Sequence, residues 1–227
     1  MKRLAWFFAL ALIGAITVSV QLDRQARKAP HLARFVPQPV RGFSQYHLTA
    51  SQLRSGNAED ALSSARVLVA RRPMPAENLR LLAQAQALAG NESDAATTIQ
   101  LAAQHGWRDP LAQVARMRLA LENGDGGEAG RRLAALWALG DNPEALSELA
   151  RPVLAVPEAR TAFAATLAGD TRWKQRFLRL GPEVLPGDLF LSTLEDALRL
   201  GAKFDCKSLS KALNKRSKVA QESCRSD

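Results

Sequence analysis

The chain has 227 residues, of which 47% are hydrophobic and 23% charged, with a formal net charge of +9. That length suits one sizeable domain or a short repeat array, and the apolar fraction is enough to bury a core. Aromatics make up only 6% and strand formers are sparse after the first 20 residues, so a fold of Ala-, Leu- and Arg-rich helices is favoured over one built on sheets.

A positive balance of this size could serve nucleic acid, anionic lipid or an acidic polymer. The dense basic runs, however, lie beside the first apolar segment and at the C-terminus. The remaining charge reads as solvated helix faces, and nucleic acid is not the expected partner.

Met1, Lys2 and Arg3 precede an uncharged apolar run from Leu4 to Leu22. Nineteen helical residues span about 28 Å, close to the hydrocarbon thickness of a bilayer. Trp6 suits an interface, and Asp23, Arg24, Arg27 and Lys28 end the run. A cleaved signal peptide is the rival reading, but the run is long for one and no convincing small-x-small site follows. Residues 1–23 are therefore expected to be a signal anchor, a single transmembrane helix. The flanks disagree on orientation: Lys2 and Arg3 favour the N-terminus inside, whereas Arg24, Arg27, Lys28 and Arg34 favour the reverse. A very short tail before a long C-terminal domain is similar to a bacterial export anchor, so the expectation is an inner-membrane protein whose domain lies in the periplasm. Residues 24–41 contain Pro30, Pro37 and Pro39 and are expected to form an extended linker that holds the domain off the membrane.

Self-similarity organises the next stretch. Three ungapped blocks of 34 residues, Gly42 to Pro75, Ala76 to Asp109 and Pro110 to Pro143, align by column. The fifteenth column is Gly56, Gly90 and Gly124, and the sixteenth is Asn57, Asn91 and Asp125. Asp60, Asp94 and Glu128 fill the nineteenth, Ala61, Ala95 and Ala129 the twentieth, and Leu68, Ala102 and Leu136 the twenty-seventh. Glycine suits the left-handed residue that ends a helix, Asn or Asp suits a turn and the next cap, and an acid in the first turn complements the helix dipole. The recurrent Ala lets two helices approach closely. Each block thus predicts a helical hairpin.

These columns resemble the tetratricopeptide repeat, whose period is also 34. Thr49, Ala83 and Met117 stand at the family's small eighth position, the three alanines at its twentieth, and Pro73 at its thirty-second. The resemblance covers residues 42–143. It implies an all-α fold, a short solenoid of helical hairpins, continued by a C-terminal helical extension over residues 144–227. It also implies a groove lined by the first helices at positions five, nine and thirteen, here Tyr46, Ala50 and Arg54, then Arg80, Gln84 and Leu88, then Val114, Arg118 and Glu122. Such a groove receives protein or peptide segments.

In the extension, Pro143 begins a helix that Pro152 and Pro157 interrupt. A helix from Ala159 to Ala168 follows, and then one carrying Trp173, Phe177 and Leu180, capped by Asp170 and expected to stop at Gly181-Pro182. Asp188 is expected to cap Leu189 to Leu200, Gly201 to close it, and Asp205 to cap a last basic helix. Cys206 and Cys224 are the only cysteines. They are either a disulfide, which requires the tail to fold back, or two free thiols; without Cys or His company they are not a metal site.

Three histidines, His31, His47 and His105, stand alone, and no phosphate-binding glycine loop is present. No catalytic residue, metal or cofactor is expected. The leading expectation is a membrane-tethered protein-interaction scaffold that assists an envelope machine such as polysaccharide or protein export. The alternatives are a basic surface for an anionic polymer or lipid, using Arg71, Arg72, Arg131, Arg132 and the tail from Lys207 to Lys218, and, from a third class, an enzyme.

Overall fold

The computed structural model describes residues 2–140, 142–169 and 172–213. Among them the chain is all-helical, with twelve α-helices, two short 3-10 turns and no strand. It forms two compact units, Met1–Gly106 and Trp107–Asp227, described separately below. The third 34-residue block lies in the second of these units, together with the C-terminal helices.

In the first unit, α1 (Lys2–Ala26) is a single helix of 25 residues. From Arg3 onward it is long and apolar enough to cross a membrane, and none of its apolar stretch is buried. Its Thr17 and Ser19 hydroxyls are satisfied within the helix: Thr17 donates to the Ile13 carbonyl (2.8 Å) and Ser19 to that of Ala15 (2.7 Å).

The end of α1 belongs to the folded unit. Ala26 is fully buried and Asp23 nearly so. The segment expected to be extended instead folds into 3-10 turns at Pro30–Phe35 and Gln38–Val40, each with Pro in its first turn. Ala33 and Val36 are buried. Proline fixes φ at a value these turns share, so the residues that suggested a spacer instead start two turns. Helix α2 (Phe43–Ser55) follows, and its N-cap Gly42 has no side chain to offer. Asp23 supplies the cap from a distance: its carboxylate accepts from the backbone N–H groups of Gly42 (3.0 Å), Phe43 (3.0 Å) and Ser44 (2.9 Å). Three of the donors orphaned at a helix start are thereby satisfied.

Helices α3 (Ala58–Arg71), α4 (Ala76–Leu88) and α5 (Glu92–His105) complete the unit. The α2/α3 and α4/α5 hairpins close as the repeat columns predict. Gly56 and Gly90 have φ of 76° and 77°, and Asn57 and Asn91 are the N-caps that follow. Ala61, Leu68, Thr49, Ala83, Ala95 and Ala102 are buried. Inside the first hairpin runs a polar seam that the apolar columns did not announce. Gln45 donates to the Ser64 hydroxyl (2.7 Å), which also shares a hydrogen bond with the Thr49 hydroxyl (2.9 Å).

The second unit contains α6 (Pro110–Glu122), α7 (Gly126–Leu139), α8 (Pro143–Leu154), α9 (Pro157–Ala168), α10 (Lys174–Val184), α11 (Gly187–Arg199) and α12 (Cys206–Leu213). Gly124 has φ of 72° and Asp125 caps α7 by accepting from the Glu128 N–H (2.8 Å). Helices α3, α5 and α7 thus begin 34 residues apart and are equally long.

The core here is aromatic. Trp137, Phe163 and Phe177 are fully buried, and their centroids lie 5.3–6.2 Å apart. Trp173 and Phe190 extend the cluster. Pro152 and Pro182, expected to end helices, sit inside the last turns of α8 and α10. Each ring is exposed and removes a single terminal hydrogen bond, while buried Val153, Leu154, Val184 and Leu185 hold the final turn down. Asp188 lies inside α11, whose N-cap is Pro186. Gly201 closes that helix with φ of 88°, and Asp205 caps α12 through the Ser208 N–H (2.9 Å). The expected cap at Asp170 lies outside the described residues.

The glycines of the third block bring α7 against α9. A Cβ at Gly130 would stand 2.1 Å from the Ala159 carbonyl oxygen, whereas one at Gly127 would meet nothing nearer than 3.4 Å. Gly130→Ala should therefore destabilise the protein by about 1–3 kcal/mol, even though Ala is the better helix former by about 1 kcal/mol. Gly127→Ala should stabilise it by up to about 1 kcal/mol. Denaturant unfolding of the two variants should give shifts of opposite sign. In the first unit, Asp23→Ala leaves three amides uncapped and should cost about 1–3 kcal/mol. Asp23→Asn, which keeps one acceptor oxygen, should cost less in the same unfolding experiment on the detergent-solubilised chain.

Candidate functional site

The groove positions implied by the repeat resemblance sort by depth. In the first unit, α2 and α4 are neighbours. Tyr46 is half-buried, with its ring edge-on to His47 (centroids 5.4 Å apart). Ala50 is half-buried and Arg54 exposed. On α4, Gln84 and Leu88 are exposed, Leu88 to 42%.

Arg80 is not an open groove residue. It is only 8% exposed and has an interaction of its own. Residues 76, 80 and 83 share one face of α4, and Ala76 and Ala83 place that face in the packing. In the second unit, Val114 packs against the aromatic core and Arg118 is exposed. The fifth position of each block thus turns toward the packed side, while the thirteenth stays open.

The arginines expected to form a general basic surface are occupied internally. Arg71 donates to the Arg41 carbonyl (3.0 Å), and the Arg72 guanidinium lies 4.1 Å from the centre of the Phe43 ring. Arg131 and Arg132 converge with Arg116 on the buried carboxylate of Glu128, at 3.1, 2.8 and 3.4 Å. Arg132 also donates to Gln113 on α6 (3.2 Å). The i+3 and i+4 spacing of Arg131 and Arg132 from Glu128 was visible in the sequence, but the arrival of Arg116 from the preceding helix was not.

Burial is the largest influence on the Glu128 carboxyl and pushes its pKa up. Hydrogen bonds and charge from Arg132, the hydrogen bond from Arg131 and the charge of Arg116 outweigh it, so the group ionises below its ordinary value of 4.5.

Open cations gather elsewhere in the second unit. A cleft of about 690 Å³ is bordered by α10 and α12 and lined by Arg172, Gln175, Arg179 and Lys211. Arg172, Arg179 and Lys211 have no acidic partner among the described residues. Arg176 also lines the cleft, held by donation to the Trp137 and Ala138 carbonyls (2.9 and 3.0 Å). These carbonyls end α7, so the guanidinium also serves as a C-cap. Glu183 is the acid on the cleft's rim.

Among the described residues, no three His, Cys, Asp or Glu side chains are grouped to hold a metal. His31 and His105 are exposed and His47 half-buried. Cys206 opens α12 and is not a free thiol; Cys224, the other member of the disulfide alternative, lies outside the described residues. Comparison with protein families, characterised proteins and solved structures returns no match.

The Glu128 cluster gives a pH signature with a defined sign. A lowered folded-state pKa contributes stability that is complete above about 4.5 and is lost as pH falls through the lower folded value. Glu128→Gln should therefore cost about 1–3 kcal/mol at neutral pH and flatten the acid limb of the stability profile. Urea unfolding at neutral pH and below pH 4.5 measures both effects.

Proposed function

We propose that the protein is a membrane-tethered scaffold for protein–protein interaction, built on tetratricopeptide-like repeats in a short solenoid. In this reading α1 anchors it in a bacterial inner membrane. The helical domain stands in the periplasm and assists assembly of an envelope complex, such as one exporting polysaccharide or protein.

The observation that carries the reading is that Arg54 on α2 and Gln84 and Leu88 on α4 are all exposed, on two first helices that contact each other. These positions combine a planar cation, an amide and an apolar side chain on rigid elements. Such a surface suits a peptide segment carrying a carboxylate beside an apolar residue. A photo-crosslinking residue at Gln84 should give discrete adducts in cells, whereas one at Gln100, exposed on α5, should give none. Arg54→Glu or Leu88→Asp should reduce the Gln84 adducts by about tenfold. Equal labelling from both positions, or labelling unaffected by either substitution, would sink the reading.

A second reading is favoured by the open cations of the α10/α12 cleft: direct binding of an anionic polymer. It expects binding that falls steeply with added salt and with Arg172→Glu, Arg179→Glu and Lys211→Glu together. The Gln84 adducts would then be unaffected by those three substitutions.

A further inference from the structure

We propose that the first unit sits directly on the bilayer, with the turn at Pro30–Phe35 and the exposed cations Arg24, Lys28 and Arg34 against anionic phospholipid headgroups. The inference rests on reading α1 as a membrane anchor and adds a defined contact to it.

Position is the first argument. The apolar run ends at Leu22, and Asp23 is the next residue. Whatever the Asp23 carboxylate holds must therefore lie within about one helical turn of the hydrocarbon edge, about 5 Å. It holds the backbone of Gly42, Phe43 and Ser44, so the start of α2 is pinned at the membrane surface. Between the two, buried Ala26, Ala33 and Val36 pack the turns onto this junction. No extended spacer separates the domain from the lipid.

Charge is the second argument. From Arg24 to Ala58 the sequence contains no acidic residue but has cations at Arg24, Arg27, Lys28, Arg34, Arg41 and Arg54. Arg27 lies over the Phe43 ring (5.6 Å) and Arg41 donates to the Val36 carbonyl (2.7 Å), so these two are committed to the fold. Arg24, Lys28 and Arg34 are exposed and have no ion pair among the described residues. Basic residues at this depth are drawn to anionic leaflets.

Amphipathic character is the third. Phe35 is 59% exposed on the same turn, and the Arg34 guanidinium lies 4.7 Å from its ring centre. An exposed ring beside a cation suits the headgroup layer, where the ring meets acyl chains and the guanidinium meets phosphate.

The test is hydrogen exchange of the full chain in nanodiscs of phosphatidylcholine with or without phosphatidylglycerol, and in detergent. Amides of residues 28–36 should exchange about tenfold more slowly in the anionic bilayer than in the zwitterionic one. Arg24→Gln, Lys28→Gln and Arg34→Gln together should abolish that difference, while α4 and α5 exchange as before. Equal exchange in the two bilayers overturns the proposal, as does a difference that survives the triple substitution. The amides of residues 4–22 separate the two levels of failure. If they exchange freely in the bilayer, the anchor reading itself fails. If they are protected while residues 28–36 exchange as in detergent, only the proposed contact fails.

Discussion

Each repeat hairpin depends on a chain reversal that a left-handed residue completes. Gly56, Gly90 and Gly124 all take φ near 75°, where a side chain would cost about 1–2 kcal/mol. The residue after each glycine is the N-cap of the next helix. Four residues on, an alanine lies in the interface. Turn, cap and close contact therefore occur in fixed order, and the second helices begin in strict 34-residue register. If the glycine were shifted by one position, the cap would lose its helix and the alanine would leave the interface.

Given that register, small residues decide which helices become neighbours and arginines secure them. Gly130 leaves room for the backbone of α9 to meet α7, and this approach places Phe163 beside Trp137. Arg176 then caps the end of α7 from α10, Arg160 ties α9 to Asp196 on α11 (2.8 Å), and the Glu128 cluster joins α6 to α7. Several arginines are thus engaged with carbonyls, rings and carboxylates inside the protein. An arginine count alone would overstate the basic surface, because a guanidinium with its donors engaged offers little to an external anion. Open cations include Arg24, Lys28 and Arg34 at the end of the apolar helix and its following turn, and Arg172, Arg179 and Lys211 at the α10/α12 cleft.

What could be read from the sequence follows the range of each signal. Helical hairpins, their glycine turns and the buried columns are set by neighbours within one or two turns of chain, and they fell where the periodicity put them. Asp23 capping Gly42 to Ser44 acts across 19 to 21 residues of chain, and no local pattern marks it. Proline inside or between helical stretches suggests a break or a spacer, yet Pro152 and Pro182 sit in helical last turns and Pro30 begins a 3-10 turn. Their effect depends on whether a buried neighbour holds the next residue. Of the positions that the column pattern puts on one face, Arg54, Gln84 and Leu88 are exposed, whereas Arg80 is buried. Burial at residue 80 follows from the packing of its i−4 and i+3 neighbours, which a family pattern does not encode.

The first helix combines two kinds of chemistry that length and hydropathy treat as one. From Arg3 to Leu22 none of its residues is buried, and its hydroxyls bond back to their own helix. From Asp23 onward its residues are structural members of the first unit, since α2 begins at a glycine and has no capping group of its own. The folded unit therefore begins near Asp23, inside a continuous helix, rather than at residue 42 where the repeats start. A cut upstream of Asp23 would remove the apolar run and leave the cap in place, whereas a cut downstream would leave three amides at the start of α2 without an acceptor. Continuity of the helix across that point leaves no hinge between the apolar run and the domain, so a tilt of one must be a tilt of the other.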